Sequence, residues 1–404
     1  MRHTIAGAGA LLAVMCWGFA AGAEDTVEQR IGRLEEEVGR LSGTTRADIA
    51  DGASEAGRLS WHGYGELHYN NPEGSGVPDD ADTAIMDFHR MVWGLSYQFN
   101  DRISLHTEVD FEHAATEIEL EFAYLDFLLT PAFNLRAGSM LMPVGPLNEF
   151  HEPTLFYSVE RPYVQRTIIP TSWQEGGAGI FGSVPAGLKY RLYVVSGLNA
   201  EDFTSANGIR NGRGHVAEAP SEDLAVVGRV EYVGIPGLEI GASLYQGGAN
   251  VTKSPNLEEA GVGIWEGDIR FRKAGFDLRG VVASVQVDGA AQISTLLAGL
   301  TPPGGPVGDE ILGWYVEGAY DVLRLLARGS NQAVMAFARY EDFNTHESVP
   351  TGFTADPAND RQVLTTGLAY YPIPDVAVKA DVESWEDGTD ASGTRVNLGV
   401  AYQF

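Results

Sequence analysis

From Ser60 to Phe404 the hydropathy of this chain alternates with a period of two. Ile103, Leu105, Val109 and Phe111 alternate with Ser104, His106, Glu108, Asp110 and Glu112. Ile118, Leu120, Phe122 and Tyr124 interleave with Glu117, Glu119 and Glu121. Met91, Trp93, Leu95, Tyr97 and Phe99 oppose Arg90, Gly94, Ser96 and Gln98. At the end, Val396, Leu398, Val400, Tyr402 and Phe404 oppose Arg395, Asn397, Gly399 and Gln403. A strand points successive side chains to opposite faces, so runs of ~10 such residues need lipid on one side and water on the other. A soluble sandwich also alternates, but its strands are shorter and its apolar face forms a core. Beyond the first twenty-odd residues no stretch approaches ~18 uninterrupted apolar positions, so no helix is expected to span a bilayer. A closed barrel is the membrane structure that remains.

Strands placed by this rule fall near residues 60–69, 90–98, 103–111, 118–128, 133–140, 175–182, 188–197 and 224–233. Eight more fall near 238–246, 262–271, 275–285, 311–320, 333–341, 362–371, 376–385 and 394–404. The expected fold class is therefore all-β, a 16-stranded antiparallel transmembrane barrel with both ends on one side. The connections alternate in length. Asn100-Asp101, Thr130-Pro131, Val184–Gly187, Ile235–Gly237, Lys273–Gly275 and Ile373–Asp375 carry the residues of tight hairpins. The other side has long segments at 70–89, 141–174, 198–223, 247–261, 286–310 and 342–361. Two connections break the rule: 321–332 is long for its side and 112–117 short for its own.

Ahead of the barrel, assigned to 60–404, three segments precede it. Residues 1–23 combine Arg2, an apolar stretch to Phe19 and a small-x-small end at Ala21-Gly22-Ala23, the pattern of a cleaved secretory signal peptide. The single cysteine, Cys16, lies within it after Met15, so removal rather than lipidation is expected, leaving no thiol for a disulfide or a metal. Residues 24–42 place Val27, Ile31, Leu34, Val38 and Leu41 at alternating spacings of four and three, a short coiled-coil seam for oligomerisation. So short a helix is marginal alone, so it suits a stalk on chains already associated. Residues 43–59 read as a linker. With 27 basic against 55 acidic residues the formal net charge is −28, which argues against nucleic acid as a partner.

Motifs for chemistry are sparse. Gly177-Ala178-Gly179-Ile180-Phe181-Gly182 matches a dinucleotide pattern but lies in a predicted strand with no helix after it. Neither a G-x-S-x-G elbow nor an H-E-x-x-H pair occurs, so no catalytic residue, cofactor or metal is assigned and an enzyme is not expected. The histidines are scattered; His106 shares a strand face with Glu108 and Asp110, which is ordinary on a water-facing strand. Residues 386–393 lack the regular ligand spacing of a calcium loop and read as a solvated hairpin.

The segment 141–174 is dense in aromatics and prolines for a solvent-washed loop, so it is expected to fold into the barrel and narrow it. Glu149, His151, Glu152, Glu160, Arg161 and Arg166 are the polar side chains it offers to such a constriction. The inner wall is expected to add Arg136, Lys189, Arg191, Arg229, Arg270, Arg279 and Arg395 on one side. Glu108, Asp110, Glu117, Glu119 and Glu121 face them, giving a field across the lumen.

These features together resemble the phosphate-selective porin family. The resemblance is carried by the N-terminal coiled coil, DFHRMVWGLSYQFNDRISLHTEVDFEH, EIELEFAYLDF and LRAGSMLMPVGPLNEFHEPTLFYSVERP, and it is firmest between residues 60 and 182. It implies a sixteen-stranded homotrimer in the outer membrane of a Gram-negative bacterium, with a third loop in the pore. Lipid and lipopolysaccharide would surround it, and small hydrophilic solutes or ions would pass. The final Phe404 resembles the signal read by the barrel-insertion machinery. Against the family pattern of an arginine ladder with lysines, the loop holds Arg161 and Arg166 and no lysine. The rival expectation is an anchoring or adhesin barrel that acts through its stalk and loops.

Overall fold

The computed structural model describes residues 58–74, 83–300, 303–327 and 329–404. The signal segment, the seam of Val27, Ile31, Leu34, Val38 and Leu41, and nearly all of the linker lie outside the described residues.

Sixteen strands form one closed antiparallel barrel, each paired with its sequence neighbours and β1 with β16. The first eight are β1 (Leu59–Gly74), β2 (Ile85–Asn100), β3 (Ile103–Glu112), β4 (Glu117–Thr130), β5 (Phe133–Leu141), β6 (Gln174–Val184), β7 (Leu188–Ser196) and β8 (Leu224–Ile235). The rest are β9 (Leu238–Gly248), β10 (Gly261–Lys273), β11 (Phe276–Asp288), β12 (Glu310–Asp321), β13 (Ala333–Ser348), β14 (Asp360–Ile373), β15 (Val376–Asp387) and β16 (Ser392–Gln403). Every strand expected from the alternation is present. Several run further, β13 to Ser348 for example, because pairing continues where the hydropathy pattern fades above the lipid.

The outer surface explains the alternation. Trp61, Trp93, Leu120, Leu192, Leu244, Trp265, Ile269, Leu278, Val316, Leu364, Val382 and Val400 are exposed large apolar side chains spread around the whole barrel. An apolar band of this extent has no place in water and matches a hydrocarbon layer. At the short-turn end Phe99, Phe133, Phe271, Phe276 and Phe404 are exposed, the position of an interfacial aromatic girdle. Phe404 is tied in by backbone bonds with Gly63, which places both barrel ends at that side.

The two irregular connections take defined forms. Residues 113–116 close as a tight 3₁₀ turn, and the 321–332 connection holds a single helical turn, Leu323–Leu326. The glycine-rich stretch of β6 is a strand, and side chains at Gly177, Gly179 and Gly182 would overlap the carbonyl oxygens of Val194, Leu192 and Ala132. Its glycines therefore let neighbouring backbone close in. The 386–393 hairpin is fastened by Asp387, whose Oδ1 accepts from the Thr389 and Ala391 amides.

One expected facing is corrected. Opposite β3, Glu108 pairs with Phe122 but Val109 pairs with Leu120, so Glu121 is a β-bulge. A bulge shifts the side-chain phase by one residue. Ile118 and Leu120 face lipid as expected, whereas Phe122 and Tyr124 turn inward, where Tyr124 meets His106 and lies under Arg136.

Candidate functional site

The third long connection, residues 142–173, folds into the barrel as its composition predicts. The turn that starts it is held by Asn148, which bonds the Met142 and Trp173 backbone and so joins the two ends of the loop. From there the loop touches most of the wall. His151 sits 2.9 Å from both the Tyr64 hydroxyl and the Glu121 carboxylate, and its carbonyl accepts from Arg90. Tyr157 donates to Asp277, the Val159 amide to Asp381 and the Val164 amide to Glu341. Tyr163 donates to Glu383. Its apolar side, Val164 and Ile168, packs against Gly313, where any larger residue would collide.

The loop is thus two-faced. Val164, Ile168, Ile169 and Trp173 are fully buried with Tyr193, Val227, Tyr245 and Val285 of the wall in one apolar core that runs along β7–β13. Phe203 and Ile209 of the fourth loop (197–223) and Ile293 and Leu297 of the helix α1 (Ala290–Ala298) complete it. The inner wall is accordingly apolar there rather than polar. This corrects the expectation of a uniformly polar lumen, because the loops, not water, cover those side chains. The polar side of the loop, with Glu160, Arg161 and Arg166 only partly buried, faces β1–β4. Glu160 accepts from Asn70 and lies 3.4 Å from His68, while Arg90, Glu66 and Glu121 form the electrostatic surroundings of Arg161.

The wall arginines are compensated close by. Arg136 forms a two-pronged pair with Asp126, Arg191 reaches both Glu149 of the loop and Glu231, and Arg229 joins Glu231, Glu266 and Asp268. Arg270 and Arg279 share Asp277, with Arg279 also near Glu317, and Arg395 pairs with Glu383. Lys189 lies on the face of Arg191, opposite Glu231 in register. Of the acidic set, Glu108 is 2.8 Å from His62, Asp110 is buried beside Arg90, and Glu121 holds His151. Glu119 and Glu117 stand exposed at the long-loop end of β4. Glu152 lies beside His151, and burial holds its carboxyl above the usual range. The expected separation of a basic wall from an acidic one therefore gives way to local pairs along β5–β16.

A second group of cations comes from the loops. Arg210 and Arg213 of the fourth loop reach across to Arg161 and Arg166. Arg210 donates to the carbonyls of Arg166 and Thr171, and Arg213 to those of Pro170 and Ser172. Arg161 donates to the Ser172 hydroxyl at 3.1 Å. These bonds of Arg161, Arg210 and Arg213 go to neutral oxygens, whereas Arg166 lies 4.0 Å from the Glu160 carboxylate. Burial, then the neighbouring Arg213, Arg166 and Arg161, hold the Arg210 guanidinium well below its usual range. Burial, followed by Arg90, pushes Arg161 down to about 10. Burial pushes Arg213 to about 10 as well, with Glu121, Glu119, Glu175 and Glu112 drawing the other way. Arg161 and Arg166 of the expected constriction set thus meet Arg210 and Arg213, which lie outside it, with Glu119 and Glu121 of β4 beside Arg213.

A protein of Aquifex aeolicus (strain VF5), itself uncharacterised, is 35% identical over 346 residues, which is 82% of this chain and 77% of that protein. The chain belongs to the family of that protein. No family model matches it. Among solved structures it is similar to the anion-selective porin from Comamonas acidovorans, at TM-score 0.54 and 10% identity over 86% of this chain and 99% of that one. It is also similar to OmpF of Salmonella typhi, at 0.54 and 11% over 87% and 99%. The outer membrane channel DcaP of Acinetobacter baumannii gives 0.53 and 12% over 88% and 100%. At such identities the likeness is one of fold, the closed barrel of outer-membrane porins.

Arg210 and Arg213 were out of reach of sequence reading, since a loop of ordinary polar composition gives no sign of which neighbour it will meet. Arg90, Arg339, Lys379, Asp381 and Glu383 are legible as inward positions by parity, but their importance comes from the inward loop, which lies 61 residues from Arg90 and more than 200 from Lys379, Asp381 and Glu383. Lys379 illustrates this: its ammonium donates to the carbonyls of Pro153 and Ser158 in the loop.

Proposed function

We propose that this protein is an outer-membrane porin whose lumen admits small hydrophilic anions past the loop 142–173. The observation that carries the reading is the cluster of Arg161, Arg210 and Arg213 at the polar side of that loop, each partly buried and bonded to neutral oxygens. Guanidinium groups whose hydrogen bonds go to hydroxyl and carbonyl oxygens retain charge for a passing anion, and the opposed glutamates keep the path hydrated. The resemblance to phosphate-selective porins supports phosphate as one such anion, although the loop has no lysine.

On this reading residues 1–23 direct export and are removed, and 24–42 joins three copies whose barrels are embedded in lipid and lipopolysaccharide. The insertion machinery recognises the strand ending in Phe404. The protein works by diffusion, with no catalytic step and no cofactor.

The purified protein is expected to give stepwise conductance in a planar lipid bilayer; its absence would contradict a channel. Removing the inner part of the loop, residues 155–168, is expected to raise single-channel conductance severalfold and to admit larger sugars in a liposome-swelling assay. Unchanged conductance would mean that the narrowest point lies elsewhere.

A further inference from the structure

A second cluster stands at the long-loop mouth, built by an irregularity in β2. Glu66 of β1 pairs with Arg90, but His68 pairs with Asp87, so two residues of β2 face one of β1. This bulge brings both Asp87 and His89 beside His68, on which His89 stacks at 4.7 Å. The turn after β3 supplies a third group. His113, Ala114 and Ala115 all have left-handed backbone, with φ of 49°, 56° and 67°, and this curl swings the His113 ring over Asp87. The His113 Nδ1 lies 2.7 Å and the His89 Nδ1 3.3 Å from the same Asp87 oxygen. All three ligand atoms fall within 4.8 Å of one another.

We propose that Asp87, His89 and His113 bind a divalent transition-metal cation, with Zn²⁺ the best match. A tetrahedral zinc with bonds of roughly 2.0–2.2 Å spaces its ligands by roughly 3.3–3.6 Å, so the three groups need only small side-chain shifts. Two imidazoles and one carboxylate select zinc, copper or nickel over magnesium and calcium, which prefer oxygen-only cages. The side chains are 24%, 35% and 44% exposed, so the ion enters from the mouth and keeps a fourth position for water. His68, bonded to Glu66 and near Glu160, backs the His89 ring and connects the metal site to the inward loop.

Calorimetric titration of the full-length protein in detergent with Zn²⁺ tests the site without reference to conductance. One tight equivalent per chain is expected, weakened about a hundredfold in His113→Ala, whose exposed turn leaves the barrel intact, and likewise in His89→Gln. Mg²⁺ is expected to give no tight equivalent. Absence of the zinc equivalent, its survival in both variants, or equal binding of Mg²⁺ would overturn the assignment.

Discussion

Arg339→Met is expected to destabilise the barrel by about 3–5 kcal/mol, the cost of removing one partner from a buried ionic network. The Arg339 side chain is fully buried, with its Nε 2.7 Å from Glu341 and a terminal nitrogen 3.3 Å from Glu317. The same guanidinium donates to the Ser158 hydroxyl of the inward loop. Its loss strands two buried carboxylates and releases one attachment of the loop. Urea unfolding in lipid vesicles is the measurement, and the double variant Arg339→Met with Glu341→Met is expected to recover part of the loss. Equal stability of Arg339→Met and wild type would show that water enters this network freely.

Leu244→Arg is expected to cost about 2–4 kcal/mol, the penalty for a cation facing lipid near mid-barrel. Leu244 is 67% exposed in the middle of β9, opposite Gly228 and Trp265, while the adjacent Ser243 faces the lumen and accepts from Arg229. The same vesicle unfolding assay applies, with Leu244→Val as the near-neutral reference. A negligible effect would place this face away from hydrocarbon.

The barrel was legible because its two solvents write themselves into every strand. Leu244, Trp265 and Val400 face outward and Arg229, Glu266 and Arg395 the barrel interior, and this period of two survives without any knowledge of partners. The inward loop was legible from its aromatics and prolines, since Trp173, Tyr163 and Pro162 make little sense in water. Three features were not. The bulge at Glu121 adds one residue and leaves the local pattern looking regular, so the alternation places Phe122 and Tyr124 on the outer face although both turn inward. The apolar inner wall at Tyr193, Val227 and Val285 depends on loops that cover it. Pairings such as Arg279 with Asp277 and Glu317, or Arg210 with the loop carbonyls, depend on strand register and loop docking, which hydropathy does not encode.

The most direct test of the anion pathway is the reversal potential across a planar bilayer holding a potassium chloride gradient. The cluster of Arg161, Arg210 and Arg213 predicts anion preference for the wild type, and a shift toward cations in Arg161→Glu/Arg213→Glu. A cation-selective wild type whose reversal potential is unmoved by those two substitutions would contradict it.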